Sequence, residues 1–398
     1  MAAQQEYASY WSIVWEQYRK NRVAFAALWS VVVLFLIAVY APVAASKMPF
    51  VWTDANGISF PWFRALLFNR NAFGNVIDLF YNLLLVLSPA YALAWFVGRR
   101  RLASVPVRRR SEQVWRWLGV AAGVTLVLFV GLLLIEPRTA IPEYRELIAS
   151  RSDVWGLFPP LRIQYDDTLH GVDVPGLYAI LGRDDAGRDV FVSLLYGTRV
   201  SLSVGAIAVT IYITIGTVLG AVGGFFGGRA DLLVQRLLEI FLCFPSFFMI
   251  LTFIGISNSR SIISVMVIIG LLGWTGPARL VRGEFLRLRN IDFVAAAKAC
   301  GLSDTRIIFR HILPNAIGPV LVNATFGVAS AVLVESSLSF LGFGDPSMPS
   351  WGRILAFGRA SGDTTMMLIA GGAIFVTVSL FNMAGEGFRD ALDPKLRR

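Results

Sequence analysis

The sequence predicts an all-α membrane protein of about eight spans, and two observations carry this prediction. Of the 398 residues, 56% are hydrophobic and only 16% are charged, with a mean hydropathy of +0.63, whereas about 25% of residues are charged in soluble domains. A net charge of +10 on such an apolar chain suits anionic lipid headgroups better than nucleic acid. Eight apolar stretches are each long enough to cross about 30 Å of hydrocarbon: residues 23 to 43, 76 to 97, 117 to 135, 200 to 222, 232 to 254, 261 to 278, 316 to 338 and 366 to 384.

The distribution of Lys and Arg predicts that both termini lie in the cytoplasm. With the N-terminus inside, the cytoplasmic segments hold 22 of these residues and the external segments hold 13, although the external segments are longer in total. An excess of positive charge marks cytoplasmic loops. A run of Arg between residues 99 and 110 fits this topology as an anchor that also touches anionic lipid.

The chain divides into five predicted regions. They are a cytoplasmic interfacial elbow helix at 1–22, the first span with an inserted two-helix hairpin at 23–135, an external segment at 136–189, a multi-span core at 190–388 with cytoplasmic helices at 284–313, and a cytoplasmic tail at 389–398. Aromatic residues recur at helical spacing in the elbow, so we expect one face at the headgroup level, with packing on another subunit as the alternative. These residues are Tyr7, Tyr10, Trp11, Trp15 and Tyr18.

Residues for catalysis, nucleotide hydrolysis or metal binding do not form a recognisable pattern. A phosphate-cradling loop needs Gly-Lys followed by Ser or Thr, and none of the four lysines, Lys20, Lys47, Lys298 and Lys395, follows a glycine. Two Cys and two His lie without ligand spacing. We therefore expect no catalytic residues, no metal and no cofactor in this chain, and any ATP-driven work must come from another polypeptide.

Three charged residues are predicted inside the membrane. Arg236 and Glu239 lie three residues apart in the fifth span, so they can pair on one helix and should face protein. Glu335 lies near the outer end of the seventh span. Structural pairing of Arg236 with Glu239 and a role in transport both remain open.

Glycine and proline predict where the helices pack and bend. Gly216, Gly220 and Gly224 recur every four residues, which lets a second helix approach closely. Pro245 interrupts the backbone bonding of the fifth span, and glycines 270, 273 and 276 precede Pro277 in the sixth. We expect bends at both places.

The cytoplasmic stretch from residue 281 to 314, VRGEFLRLRNIDFVAAAKACGLSDTRIIFRHILP, predicts two short helices joined by a sharp turn. Its alanines form helix with negligible side-chain bulk, Gly301 can take the left-handed conformation, Ser303 can cap the second helix and Asp304 suits its first turn. The result is a narrow rod that can enter a groove on a soluble partner. On this basis an arginine at position 297 should block docking without affecting folding.

This stretch resembles the EAA loop of permease subunits of ATP-binding-cassette (ABC) importers, whose pattern is Glu-Ala-Ala, three residues, Gly, nine residues, Ile, one residue, Leu-Pro. Ala295 replaces the Glu and His311 replaces the Ile, while the other five positions keep the pattern. The resemblance implies that the segment couples to an ATPase subunit. The implied coupling residues are Ala295, Ala296, Ala297, Gly301, Ser303, Asp304, Leu313 and Pro314.

Further motifs resemble the C-type permeases of dipeptide and oligopeptide importers. They are WEQYRKNRVA at 15–24, LGRDDAGRDVFVSLLYGTRVSLSVG at 181–205, RHILPN at 310–315, ESSLSFLGFG at 335–344, PSWG at 349–352 and FRDALDP at 388–394. This resemblance implies a type I importer fold with a six-span core, in the bacterial inner membrane. It also implies a homologous second permease, two ATPase subunits that hold ATP and Mg, and an extracytoplasmic solute-binding protein as partners.

Two features go beyond the resemblance. The hairpin of spans at 76–97 and 117–135 is additional; it preserves sidedness and shows no buried charge, so we expect it at the lipid-facing periphery. Asp184, Gly187, Arg188, Asp189 and Trp351 are candidates for an external gate or a binding-protein contact, with fixed turns at the membrane interface as the alternative. A stand-alone carrier or channel is the alternative function, and the sequence leaves the transported solute open.

Overall fold

The computed structural model describes residues 10–55, 57–68, 75–102, 107–135, 144–151, 153–168, 180–184, 186–257 and 260–393. Parts of the predicted elbow (1–9), of the external segment and of the tail (394–398) lie outside the described residues. The helices are α1 (Tyr10–Lys20), α2 (Arg22–Ala44), α3 (Pro61–Phe68), α4 (Val76–Leu102), α5 (Val107–Leu133), α6 (Tyr144–Ser150), α7 (Val190–Phe226), α8 (Gly228–Leu242), α9 (Ser246–Ser257), α10 (Ile262–Leu272), α11 (Thr275–Leu288), α12 (Asp292–Ala299), α13 (Asp304–Ile307), α14 (Leu313–Phe340), α15 (Trp351–Ser361) and α16 (Thr364–Leu392).

The predicted membrane spans agree with the helices except at one place. Seven described stretches are long and apolar enough to cross a membrane: Arg22–Ala44, Val76–Gly98, Arg116–Leu133, Val190–Phe226, Ile262–Leu288, Asp304–Phe340 and Thr364–Leu392. The predicted fifth span is not one straight helix, because α8 and α9 are bent by 81° with respect to each other. The total reaches eight when this bent pair counts as one span.

The predicted bend at Pro245 is present, and the helix is interrupted at the second predicted place. Proline has no N–H and cannot continue the helical hydrogen bonds, and the carbonyl of Pro245 instead accepts the first bond of α9, from Met249 at 3.1 Å. The second break lies between α10 and α11. There Gly273 ends α10, with its N–H 3.0 Å from the carbonyl of Ile269, and Pro277 lies in the first turn of α11.

The described residues form two compact units, Leu34–Arg199 and Met1–Val33 with Val200–Arg398. The first unit contains a three-stranded antiparallel sheet in the order β2-β1-β3, made of β1 (Val51–Asp54), β2 (Gly57–Ser59) and β3 (Trp155–Leu157). The sequence predicted no strands. In the same unit α4 packs on α5, where the Tyr91 hydroxyl lies 2.6 Å from Thr125 Oγ1 and donates to the carbonyl of Ala121 at 3.0 Å.

In the second unit another helix packs closely on the glycine stripe of α7, as predicted, and this helix is α11. A Cβ at Gly220 would lie 2.5 Å from the carbonyl oxygen of Ala278, and one at Gly224 would lie 2.5 Å from Cβ of Phe285. The backbones of α7 and α11 therefore touch. In lipid the hydrophobic effect does not drive helices together, and small residues allow them to associate through close packing.

The elbow helix α1 packs against α16 in this unit. Tyr18 is fully buried; its hydroxyl donates to the carbonyl of Ala24 at 3.0 Å, and its ring lies 4.7 Å from that of Phe388. Burial raises the pKa of Tyr18 to about 12. The prediction of a headgroup-facing aromatic stripe is therefore wrong for Tyr18, whereas Trp15 on the same helix is exposed.

Candidate functional site

Residues 289–312, which we call the hook, connect α11 to α14. They contain α12, α13 and a π-helical turn, Ile308–Ile312. The hook begins where α11 ends, with the Arg289 N–H bonded to the carbonyl of Phe285 at 3.0 Å. The two predicted short helices are therefore present in this segment.

The turn inside the hook closes α12 through the backbone. Gly301 has a φ of +71°, and its N–H donates to the carbonyl of Lys298 at 2.9 Å. The Leu302 N–H donates to the carbonyl of Ala297 at 3.2 Å. These two bonds form a Schellman motif, which needs a left-handed residue and favours glycine at that position.

The second helix of the hook, α13, begins without a side-chain capping hydrogen bond. Ser303 occupies the N-cap position of α13 in an extended conformation, and its side chain makes no capping hydrogen bond. Its carbonyl accepts from the Ile307 N–H at 3.0 Å. Asp304 lies in the first turn, where a carboxylate is favourable for the helix dipole.

One face of the hook packs on its own chain. Val294, Ala297, Ile307 and Ile312 belong to a buried cluster whose other members come from α7, α11 and α14. Ala297 is only 7% exposed. The expectation that an arginine at position 297 spares folding is therefore wrong, because a charged side chain cannot enter this packed cluster without large cost.

The opposite face of the hook is exposed. Ala295, Ala296 and Ala299 are exposed there and present little bulk. Phe293 and Phe309 of the hook are also exposed, Phe309 to 64%. Contiguous apolar patches on a surface mark sites of interaction with proteins or membranes. The outer face of the hook is thus the candidate coupling surface.

Leu313 and Pro314 mark the entry into α14. Pro314 lies at its first positions and cannot donate to the carbonyl of Arg310, and the helix widens to a π turn just before it. The Asn315 side chain donates to the carbonyl of His311 at 2.6 Å. Leu313 packs against the buried cluster of the hook.

The charged residues of the predicted spans have contrasting surroundings. Arg236 Nη1 lies 2.6 Å from Glu239 Oε2, with the two side chains 67% and 56% exposed on this chain. The pair thus forms within α8 but does not face the described protein. Glu335 is fully buried, and its Oε1 accepts from the Ser339 hydroxyl at 2.7 Å.

The loop before α7 is held by its own side chains. Asp184 Oδ2 lies 2.7 Å from Arg188 Nη2, and its Oδ1 accepts from the Arg188 N–H at 2.8 Å. Gly187 has a φ of +79°. Asp189 is buried and caps α7, accepting from the Val192 N–H at 3.0 Å. These contacts hold the loop before α7 in a fixed turn.

Trp351 starts α15 and is 2% exposed. Next to it, a Cβ at Gly352 would lie 2.2 Å from the carbonyl oxygen of Ser336, so α15 lies against the backbone of α14. A buried indole does not present a surface to a binding protein. Its environment favours the alternative interpretation of Trp351 as an anchor of this turn.

Sequence reasoning missed a buried ion pair in the other unit. Arg199 Nη1 lies 2.8 Å from Asp78 Oδ1, and the side chains are 1% and 2% exposed. The Arg199 guanidinium also lies 5.3 Å from the ring centroids of Tyr81 and Tyr196. The Tyr165 hydroxyl donates to Asp78 at 3.2 Å, and burial, followed by the Asp78 charge, raises the pKa of Tyr165. The inserted hairpin therefore does contain a buried charge, contrary to our prediction.

Arg199 also completes the hydrogen bonding of α2. Pro42 inside α2 has no N–H for the carbonyl of Ala38, and Arg199 Nε donates to that carbonyl at 2.7 Å. Arg199 Nη2 donates to the carbonyl of Val39 at 3.2 Å. One arginine thus donates hydrogen bonds to two carbonyls of α2 and pairs with the carboxylate in the first turn of α4. The signal for this ion pair in the sequence is Asp78, an isolated acidic residue at the start of the second predicted span.

Two family descriptions match the sequence. Residues 213–398 match the binding-protein-dependent transport system inner membrane component, and residues 9–56 match the N-terminal TM domain of oligopeptide transport permease C. The additional hairpin lies outside both matched regions. Within the described residues, no group of three or more His, Cys, Asp or Glu is placed to hold a metal ion.

Curated relatives point the same way. The oligopeptide transport system permease protein OppC of Haemophilus influenzae is 42% identical over 223 residues, which cover 55% of this chain and 71% of the relative. The dipeptide transport system permease protein DppC of Alkalihalophilus pseudofirmus is 37% identical over 271 residues, 67% of this chain and 86% of the relative. The glutathione transport system permease protein GsiD of Pectobacterium atrosepticum is 37% identical over 225 residues, which cover 54% of this chain and 73% of the relative.

Among solved structures, an inward-facing conformation of the MetNI methionine ABC transporter matches with a TM-score of 0.42 at 21% identity. The match covers 50% of this chain and 97% of that one. A second inward-facing crystal form of the same transporter matches with a TM-score of 0.40.

Proposed function

Since this chain belongs to the peptide-transport permeases of ABC importers, we propose that the outer face of the hook docks into a separate ATPase subunit. In this proposal the chain is a multi-pass inner-membrane permease that forms half of a translocation pathway. A homologous permease supplies the other half, two ATPase subunits bind ATP and Mg, and an extracytoplasmic binding protein delivers the solute. Both termini lie in the cytoplasm, in agreement with the Lys and Arg count.

The two-sided packing of the hook is the observation that carries this proposal. Val294 and Ala297 fix α12 to the chain, while Ala295 and Ala296 remain exposed on the other side. A groove in a partner can therefore accept the alanine face without unpacking the permease. A push on that face moves the buried cluster, and with it α7, α11 and α14.

Nucleotide-driven closure of the ATPases then shifts the permease between inward-open and outward-open states. Such a shift needs only different contacts of the ATPases with the two states of the permease. Peptides are the proposed solutes, because the relatives include oligopeptide and dipeptide permeases. No covalent chemistry in this chain is part of the proposal.

The test is co-purification of the ATPase subunits with the tagged permease carrying Ala296→Arg. The bulky charge occupies the docking groove, and we expect about tenfold weaker binding of the ATPase, which corresponds to about 1.4 kcal/mol of binding free energy and appears as a loss of co-purified ATPase. The matched control is Ala360→Arg, another exposed alanine, near the C-terminal end of α15. It should leave ATPase binding unchanged.

Two results contradict the proposal. Normal ATPase binding and normal peptide uptake by the Ala296→Arg variant would remove the hook from the interface. Peptide uptake by the purified chain without nucleotide would instead identify a stand-alone carrier.

A further inference from the structure

The backbone at the junction between α7 and α8 consists of two consecutive glycines. Gly227 and Gly228 follow each other there with φ values of +67° and +52°. Glycine has more backbone freedom than any other residue, so this junction alone does not fix the direction of α8. Other contacts must determine how α8 lies against the rest of its unit.

An ion pair provides such a contact between α8 and α11. Arg282 on α11 approaches Asp231 on α8 with both prongs of its guanidinium, through Nε to Oδ1 and through Nη2 to Oδ2 at 2.8 Å. The two side chains are 18% and 20% exposed. A two-pronged contact fixes orientation as well as distance, which a single charge contact does not.

A second arginine on the same side fixes the end of α7. Arg289, the residue at which α11 passes into the hook, donates from Nη1 to the carbonyl of Gly224 at 3.2 Å. A Cβ at Gly227 would lie 2.5 Å from the same Nη1. The guanidinium therefore occupies the space that the missing side chain leaves beside the junction.

Apolar packing also holds α8, but without a directional constraint. Val234 and Leu238 of α8 lie in a buried cluster with Tyr212, Trp274 and Ala278. Hydrophobic attraction is non-directional, so this packing keeps α8 against its neighbours but defines its orientation less closely than a two-pronged ion pair does. The Asp231–Arg282 pair is the polar contact that fixes its register.

We propose that Asp231 and Arg282 are positioning residues that make α8 move together with the hook. The proposal rests on the proposed function, in which the hook receives the movement of the ATPases. Rigid contact passes from α12 through the buried cluster to α11, and from Arg282 to Asp231 on α8. The 81° bend between α8 and α9 then lies at the far end of this rigid body, where the direction of the chain can change.

The two cysteines of the chain allow a direct test. Cys243 follows the end of α8 and Cys300 follows the end of α12 in the hook, and both are exposed. Spin labels on these native residues, with the partner subunits free of cysteine, report the distance between α8 and the hook. The full-length chain in lipid nanodiscs and the assembled importer are both measured.

In the isolated full-length chain, Asp231→Asn and Arg282→Gln should broaden the distance distribution about twofold, because α8 is released from a single register. Arg282→Lys keeps the charge but loses the two-pronged contact, and should broaden it less than Arg282→Gln. The matched control is Glu284→Gln, which breaks the Glu284–Arg287 pair within α11 and should leave the width unchanged. A wild-type width in Asp231→Asn and Arg282→Gln overturns the proposal.

In the assembled importer, the wild-type distance should stay the same without nucleotide and with ATP and vanadate. In Asp231→Asn it should change between these states. A nucleotide-dependent distance in the wild type shows that α8 does not travel with the hook and overturns the proposal. Failure of the ATPases to bind the wild-type chain refutes the proposed function alone, since the isolated chain still tests the ion pair.

Discussion

At the scale of single residues, the least expected feature is that Arg199 has three tasks. It neutralises Asp78, and it donates to the carbonyls of Ala38 and Val39 in α2. Each of these acceptors is buried within the same unit, where an unsatisfied polar group costs free energy. The proline at position 42 is tolerated inside α2 because a side chain, not the backbone, completes the bonding of Ala38.

The buried Arg199–Asp78 pair predicts that the conservative change Asp78→Asn lowers stability strongly. Removing one partner of a buried ion pair leaves the other charge uncompensated, which typically costs about 3–5 kcal/mol. We expect a loss of this size in the free energy of unfolding, measured in mixed micelles of a mild detergent and dodecyl sulfate. The control Glu239→Gln disrupts the exposed Arg236–Glu239 pair and should change the same quantity by less than about 1 kcal/mol. Equal stabilities of the two variants would contradict this prediction.

At the scale of elements, close backbone contact organises the second unit. The stripe Gly216, Gly220 and Gly224 brings α7 onto α11, and the hook packs on the same pair of helices. Four-residue glycine spacing was readable from the sequence because it is a local pattern. The partner helix was not readable, since the sequence does not state which distant backbone fills the groove.

Gly220→Ala tests this contact with the smallest possible change. The added methyl group would lie 2.5 Å from the carbonyl oxygen of Ala278, and such overpacking should lower the free energy of unfolding by about 1–3 kcal/mol. Gly283→Ala is the matched control, because nothing lies within 4 Å of its Cβ position in α11. The control should be neutral or more stable by up to about 1 kcal/mol, owing to the higher helix propensity of alanine. A Gly220→Ala protein as stable as the wild type would contradict the close contact of α7 with α11.

At the scale of the whole molecule, hydropathy predicts most of the helices and tertiary contacts decide the rest. Seven of the eight predicted stretches lie in apolar helices of spanning length, and the eighth is bent at Pro245. The strands β1 to β3 were missed because they are three or four residues long, too short for an alternating pattern to be recognised. Ala297 and Trp351 were assigned to surfaces because burial depends on neighbours that are distant in sequence.

The additional hairpin illustrates the same limit. An even number of apolar stretches correctly indicated a helical pair, α4 and α5, and α5 is almost entirely exposed on this chain. The first turn of α4 nevertheless supplies Asp78, which is in contact with Arg199 on α7. The hairpin is therefore an integral part of the unit that contains it, not an independent addition to the permease.

This conclusion predicts that the hairpin increases the cost of Arg199→Met. In the full-length chain the substitution leaves Asp78 buried without its cation, and the free energy of unfolding should fall by about 3 kcal/mol. In a chain whose residues 76–135 are replaced by a short Gly-Ser linker, Asp78 is absent, and the substitution removes only the hydrogen bonds to the carbonyls of Ala38 and Val39, so the loss should be smaller. The measurement is the same micelle titration on all four proteins, with Tm from light scattering as a second readout. A hairpin that only extends the bundle would give Arg199→Met the same loss in both chains.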